Sequence, residues 1–389
     1  MKNHIAPTSP FAAAGGVLLS SLSAIPALAD TTYSTLTCTC GLNNSPQGAR
    51  AIAGSTHVYI CGTLTGSDTG VASGFLYRGP LQGGGAEGTW AQLNFTAPGV
   101  SDVTVTSPYG PADGPGDMVT LVGVYQAKAT GSRNIGCMYR GPDSGTGGTW
   151  TVINPPAANY NNCFPHSTMG RLVVGNFDIV NVATGFAFVY DIETGHSWNL
   201  HAPGATSTTA YGIWHDGGDI YTIAGGYSIL KPTEISQAFI CRWNAATHTA
   251  SDFRSFSAHN QPVTSVITHF EGITGNESGG YNFAADWINV ADGGLGASLV
   301  HVARRPDGSL GEAVWLDLAF PGAEVTSANS VVRTSVVGIY GGGGSGDEAF
   351  IATVSPSTTC AADLNGDGVV DGGDLTAVLA SWGACSSGP

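Results

Sequence analysis

Positive charge is scarce in this chain. Its 389 residues include 13 Lys+Arg against 28 Asp+Glu, a formal net charge of −15. Phosphate backbones and anionic lipid repel such a surface, so no nucleic acid or bare membrane partner is expected, and cations are favoured. Past residue 30 no eighteen apolar residues run unbroken, and no membrane span is expected. C-x2-C zinc pairs are missing, as are H-x-H, H-E-x-x-H, G-x-S-x-G, phosphate-loop and dinucleotide-fold signatures. The familiar short motifs of metal hydrolases, serine hydrolases and nucleotide enzymes therefore assign nothing here.

Residues 1–29 read as a secretory signal peptide. Lys2 gives a positive start, Phe11 to Leu28 is apolar and small, and Ala27-Leu28-Ala29 is an A-x-A cleavage site. Pro7, Pro10, Gly15, Gly16 and Pro26 would interrupt an ordinary helix. The mature chain from Asp30 is expected to be secreted, either extracellular or on the cell surface. Its eight cysteines are then expected to pair as disulfides. Spacing does not fix the connectivity; the expectation is Cys137 with Cys163, and Cys61 with Cys38 or Cys40.

Glycine is plentiful, at 57 residues without a collagen period, which points to many tight turns. Six short apolar runs recur: Ile60-Cys61-Gly62, Leu121-Val122-Gly123, Val173-Val174-Gly175, Ile223-Ala224-Gly225, Ala284-Ala285-Asp286 and Val336-Val337-Gly338. Their third residues are 61, 52, 50, 61 and 52 positions apart. About a dozen residues after each comes an aromatic, β-branched run such as Gly74-Phe75-Leu76-Tyr77-Arg78 or Ala349-Phe350-Ile351-Ala352-Thr353, with the make-up of a strand. A third set alternates polar and apolar residues, as in Thr149-Trp150-Thr151-Val152-Ile153, the pattern of a strand wet on one face. A fainter set, including Thr209-Ala210-Tyr211-Gly212-Ile213, precedes each first run.

Four strands at a period near fifty make one propeller blade. The sixth unit stops at Thr353 one strand short, and Thr31-Thr32-Tyr33-Ser34-Thr35-Leu36 has the missing shape. The expectation is an all-β, six-bladed β-propeller-like repeat domain over 30–354, closed by its own N-terminus, with five or seven blades open if one faint unit is misread. The runs also resemble extracellular HAF-type repeats, most clearly at Gly338 with Ala349-Phe350 and Gly225 with Ala238-Phe239. That likeness implies a propeller and no particular chemistry. Asp286 stands where the other runs carry glycine.

After a polar linker, 355–359, residues 360–389 carry the one dense chemical motif. Numbered from Asp363, oxygen-bearing residues fall at positions 1, 3, 5, 9 and 12, with Gly368 at 6. Calcium takes six to eight oxygens, and this spacing lets a looping backbone converge them. Asp363, Asn365, Asp367, the Val369 carbonyl, Asp371 and Asp374 are the expected Ca2+ ligands, followed by a helix over Leu375 to Trp382 with Leu375, Val378, Leu379 and Trp382 on one face. Aspartate at position 12 resembles the dockerin repeat over Asp363 to Trp382. Dockerins carry two repeats and dock to a cohesin, whereas this chain has one, with Gly372 and Gly373 at the partner-choosing positions. Single-repeat tails flanked by cysteines resemble attachment modules, which implies a cohesin-like or cell-surface partner. A Cys360–Cys385 bridge would contribute roughly 3 kcal/mol.

Within the repeat body, Arg78, Arg140, Arg242 and Arg304 occupy related places and are expected to spread round a ring. Gly147-Gly148-Thr149-Trp150 lacks the aspartate of a sialidase Asp-box, because position 145 is Gly. Asp178, Asp216, Asp219, Glu271, Asp286 and Glu324 lie near expected strand ends without a distinctive pair, and His166, His215 and His269 lie near expected inner strands. With no catalytic constellation visible, the reading is a non-catalytic binding or surface protein with a propeller platform. The alternative is a carbohydrate-active hydrolase or lyase acting on polysaccharide, marked by two carboxylates at the axis.

Overall fold

The computed structural model describes residues 30–182, 185–229, 237–342, 345–355 and 372–380. Residues Thr31–Ser355 form one compact unit built of six four-stranded antiparallel sheets. The sheets follow the chain as blades 1 to 6, and the repeat period read from the sequence is the blade period. In each blade the faint set forms the inner strand: Asn43–Ala51, Val103–Asp113, Tyr160–Met169, Ser207–Gly217, Val266–Gly275 and Val325–Val332. The recurring apolar runs form the second strands, the aromatic runs the third, and the alternating runs the outer ones, except in blade 6.

Blade 6 takes its outer strand from the start of the unit. Thr31–Thr35 pairs antiparallel with Ser345–Val354, with Thr31 opposite Val354 and Thr35 opposite Phe350. The Leu36 amide extends the ladder to the Ala349 carbonyl at 2.9 Å. First and last segments thus share one sheet, and the ring of six blades is closed by backbone hydrogen bonds.

Glycine at the end of the second-strand run has a steric cause. Gly62, Gly123, Gly175, Gly225 and Gly338 each face an inner strand so closely that a Cβ would meet a carbonyl oxygen: that of Ser45, Ser107, Phe164, Thr209 or Ser327 respectively. In three blades the third-strand aromatic occupies the space: Phe75, Phe188 and Phe350 lie 2.8–2.9 Å from where the Cβ of Gly62, Gly175 and Gly338 would stand. The register corrects one detail. In blade 5 the residue opposite Phe270 is Ala285, so Ala285 takes the glycine place and Asp286 is the next residue along.

The cysteines also differ from expectation. Cys38 and Cys40 are bonded to each other, and Cys61, Cys137, Cys163 and Cys241 are buried free thiols. All four lie on second, third or inner strands, where they serve as small apolar core side chains, and burial pushes each thiol up well out of the reactive range.

The second unit contains one described element, the helix Gly372–Ala380. Leu375 and Leu379 are each 60% exposed on it. Among the described residues, no helix is long and apolar enough to cross a membrane.

Candidate axial site

Every inner strand carries a β-bulge at the same level in its blade, and those of blades 2, 3 and 4 have a second register shift nearer one end. Register shifts fall between Pro46 and Gly48, Pro108 and Gly110, Pro165 and Ser167, Ala210 and Gly212, Phe270 and Gly272, and Ala328 and Ser330. The extra residues are Gln47, Tyr109, His166, Tyr211, Glu271 and Asn329. A bulge re-aims one side chain out of the pleat, and here all six line a single narrow cavity of about 60 Å³ at the axis. Gln47, Tyr109, His166 and Tyr211 also line a wider cavity of about 450 Å³, bounded by Phe164, Asn176, Asp178 and Thr209. The two cavities thus share four of the bulged residues.

Aromatic rings form one wall. His166 stacks against Tyr109 at 5.1 Å and packs on Tyr211 at 4.1 Å, and Tyr211 meets His269 edge-on at 4.3 Å. Burial first, and the neighbouring His269 second, hold the His166 imidazole down to about 3. The ring is therefore neutral across the ordinary pH range.

Blades 5 and 6 supply the acids. His269 Nδ1 lies 2.6 Å from Glu271 Oε1, and its Nε2 lies 2.8 Å from the Thr209 hydroxyl. Asp286 faces His269 across the inner ladder of blade 5. The Ser327 hydroxyl donates to Asp286 Oδ2 at 2.5 Å and the Ala328 amide to Oδ1 at 2.7 Å. Burial, with the Glu271 charge second, pushes the Asp286 carboxyl up to about 7, against the pull of those two donors. One carboxyl thus titrates near neutrality, beside a second that is hydrogen-bonded to histidine. That pairing is what general acid–base chemistry needs.

Of the residues singled out in the sequence, Glu271 and His166 line the axial cavity, with His269 bonded to Glu271 and Asp286 opposite His269 on the second strand of blade 5. The others do not. Asp178 accepts from the amide and side chain of Asn162 at 2.8 and 3.0 Å, and Asp216 accepts from Thr222 and Tyr281. Asp219 lies 3.8 Å from Arg171, and His215 bonds the Gly218 carbonyl while stacking on Tyr221. Glu324 abuts Gly342 in the approach to blade 6. Arg78 pairs with Asp143 at 3.2 Å. Arg242 and Arg304, on the adjacent blades 4 and 5, line one cleft together with Arg254.

Asp374 sits buried in the first turn of the helix Gly372–Ala380. The other expected calcium ligands, Asp363, Asn365, Asp367, Val369 and Asp371, lie outside the described residues, as do Cys360 and Cys385. Among the described residues no group of three His, Cys, Asp or Glu is placed to hold a metal.

Gln47, Arg50, Tyr109 and Asn329 were missed by sequence reasoning. A signal for three of them was present: aligned on the blade period, each inner strand reads Pro, Ala or Phe, then the bulged residue, then Gly or Ser. The small residue follows because the inner strands crowd each other there. A Cβ on Gly48 would meet the Tyr109 carbonyl, and one on Gly110 would lie 2.5 Å from the His166 carbonyl.

Neither a protein-family model nor a curated protein sequence matches the chain. Solved structures are similar in fold. A Trypanosoma rangeli sialidase in complex with sialic acid superposes with a TM-score of 0.50 at 7% identity, over 83% of this chain and 58% of that one. A Penicillium chrysogenum α-L-arabinanase complexed with arabinobiose has a TM-score of 0.43 at 13% identity, over 82% and 98% of the two chains. A xylan β-1,4-xylosidase from Bacillus halodurans C-125 has 0.36 at 11%, over 69% and 55%. This chain thus spans a little over half the length of the sialidase chain. The non-catalytic platform expected from the sequence is corrected by these findings: it rested on the lack of a catalytic constellation, the axis carries a carboxyl pair with a histidine, and the propellers similar in fold include a sialidase.

Proposed function

We propose that this chain is a carbohydrate-active hydrolase that cleaves a glycosidic bond at the axial cavities. The observation that carries the reading is the Asp286–Glu271 pair: one carboxyl held protonated to about 7, the other bonded to His269 at 2.6 Å. In this scheme Asp286 protonates the departing glycosidic oxygen. Glu271, oriented by His269, serves the opposite face of the sugar as base or nucleophile. Tyr109, His166 and Tyr211 give the apolar faces of sugar rings a flat wall. The sialidase similar in fold was solved with a sugar bound, which agrees with a glycan ligand here. A panel of polysaccharides and aryl glycosides tests the reading: release of reducing ends by the wild type, lost in both Glu271→Gln and Asp286→Asn, supports it. Release that both variants retain, or no release from any glycan that binds, overturns it.

The tail adds two proposals that rest on sequence. Residues 363–374 form a Ca2+ loop of an attachment module, and the chain is exported. The oxygen spacing from Asp363 to Asp374 supports the first, and the A-x-A site at Ala27-Leu28-Ala29 the second. Calorimetry on the full mature chain should show one calcium bound and lost in Asp367→Ala; equal binding by both proteins rejects the loop. Mass spectrometry of the mature N-terminus tests export, with a chain beginning at Met1 as the contrary result.

A further inference from the structure

Arg50 stands apart from the other charged groups of the propeller. It is 7% exposed, lies on the inner strand of blade 1, and reaches across the axis beneath the bulged ring. Among the described residues it forms no ion pair. Its Nε donates to the Pro111 carbonyl at 3.4 Å. Its Nη2 is shared among the Ser167 hydroxyl, the Thr168 carbonyl and the Ile213 carbonyl at 3.3–3.4 Å. These are long contacts for a charged donor, which ordinarily comes to 2.7–2.9 Å of an anionic acceptor. Trp214 lies 5.7 Å from the guanidinium carbon. Nη1 is buried and meets no protein acceptor. Burial pulls the guanidinium down to about 10, which still leaves it fully charged at neutral pH.

A neutral donor in this position would need only a hydrogen-bond acceptor. A buried cation needs negative charge, and dipoles at 3.3–3.4 Å supply it poorly. Glu271 lines the same 60 Å³ cavity as Arg50, but its carboxylate is turned to His269 at 2.6 Å and makes no ion pair with the guanidinium. The cavity has room for a single ion of halide size with a water. We propose that the axial cavity is a binding site for a small monovalent anion of the chloride class, held by Arg50 Nη1. Glu271 of the proposed cleavage reaction lines the same cavity, and the tests of the anion site therefore read no activity.

Crystals of the full chain soaked in bromide should show one anomalous peak in the axial cavity, within hydrogen-bond reach of Arg50. Thermal unfolding at constant ionic strength, with chloride replacing methanesulfonate, should raise Tm by about 2 °C for each tenfold of chloride above its dissociation constant. Arg50→Met should remove that dependence. If this variant does not fold, the bromide map and the wild-type titration decide between them. A cavity without an anomalous peak, or a Tm indifferent to chloride, overturns the proposal.

Discussion

His269 and Glu271 lie two residues apart on one inner strand, and their side chains meet at 2.6 Å because Glu271 is the bulged residue of that strand. The insertion brings a carboxylate round to the imidazole Nδ1, while Nε2 is anchored 2.8 Å from the Thr209 hydroxyl of blade 4. If Glu271 is the second carboxyl of a glycosidase, Glu271→Gln should lower kcat by about 10³-fold. The amide keeps the size and a hydrogen-bond partner for His269, so the unfolding midpoint should move little. A fall in Tm that parallels the fall in rate would identify Glu271 as a structural residue instead.

Asp286 occupies the place that Asn176 holds in blade 3. Asn176 Oδ1 accepts from the Ala210 amide of the next blade at 2.6 Å, as Asp286 Oδ1 does from Ala328 at 2.7 Å. Asparagine therefore fits this tie between blades, and Asp286→Asn should fold. The folded carboxyl sits at about 7, above its ordinary value near 3.8. A group raised in the folded state favours folding while it is protonated in both states, and that advantage disappears as pH rises through the folded value. Wild type should thus lose stability relative to Asp286→Asn between about pH 4 and pH 7, read by urea unfolding at each pH. Activity should fall on the alkaline side of about 7, as the proton donor ionises. A stability difference that does not vary with pH contradicts the assignment.

His166 works in the opposite direction. Its folded value is depressed to about 3 from an ordinary 6.5, so the neutral ring favours folding above 6.5 and the advantage is lost as pH falls towards 3. The loss is on the order of 3–5 kcal/mol at most. His166→Phe keeps an aromatic ring between Tyr109 and Tyr211 and removes the titration. The variant should be flatter in stability than wild type from pH 6.5 to pH 4; equal slopes for the two proteins would show that the ring is not buried as described.

The architecture was legible because packing repeats with the blades. Val336-Val337-Gly338 and Ala349-Phe350 announce their strands, and Thr31–Leu36 announces the closing one, since each blade must solve the same burial problem. The axial site was not legible for the opposite reason: its residues share a position and nothing else. Gln47, Tyr109, His166, Tyr211, Glu271 and Asn329 have unlike chemistry, so a search for similar residues passes over them. Glu271 and Asp286 are 15 positions apart and on different strands, and only the bulge and the ladder bring them to one place. Asp286 was misread as a lost glycine because the run Ala284-Ala285-Asp286 was aligned one residue out of register. The cysteines misled through the export context, which favours pairing in general but says nothing about side chains turned into separate blade cores.

The glycine row offers a test of the packing itself. In blade 6, a Cβ on Gly338 would meet the Ser327 carbonyl and lie 2.8 Å from the Phe350 ring. The carbonyl belongs to the residue two before the bulged Asn329, so relieving the clash would push the inner strand towards the axis. Gly338→Ala should therefore cost roughly 3 kcal/mol, the upper part of the range for overpacking a core, although alanine is normally the better residue in regular structure. Blade 5 already carries Ala285 in this place, opposite Phe270, and Ala285→Gly should cost only about 1 kcal/mol through added chain entropy. Urea unfolding of the two variants reads the contrast directly. Equal costs would mean that the bulge does not press the inner strand against the second, and the explanation of the recurring glycine would have to be abandoned.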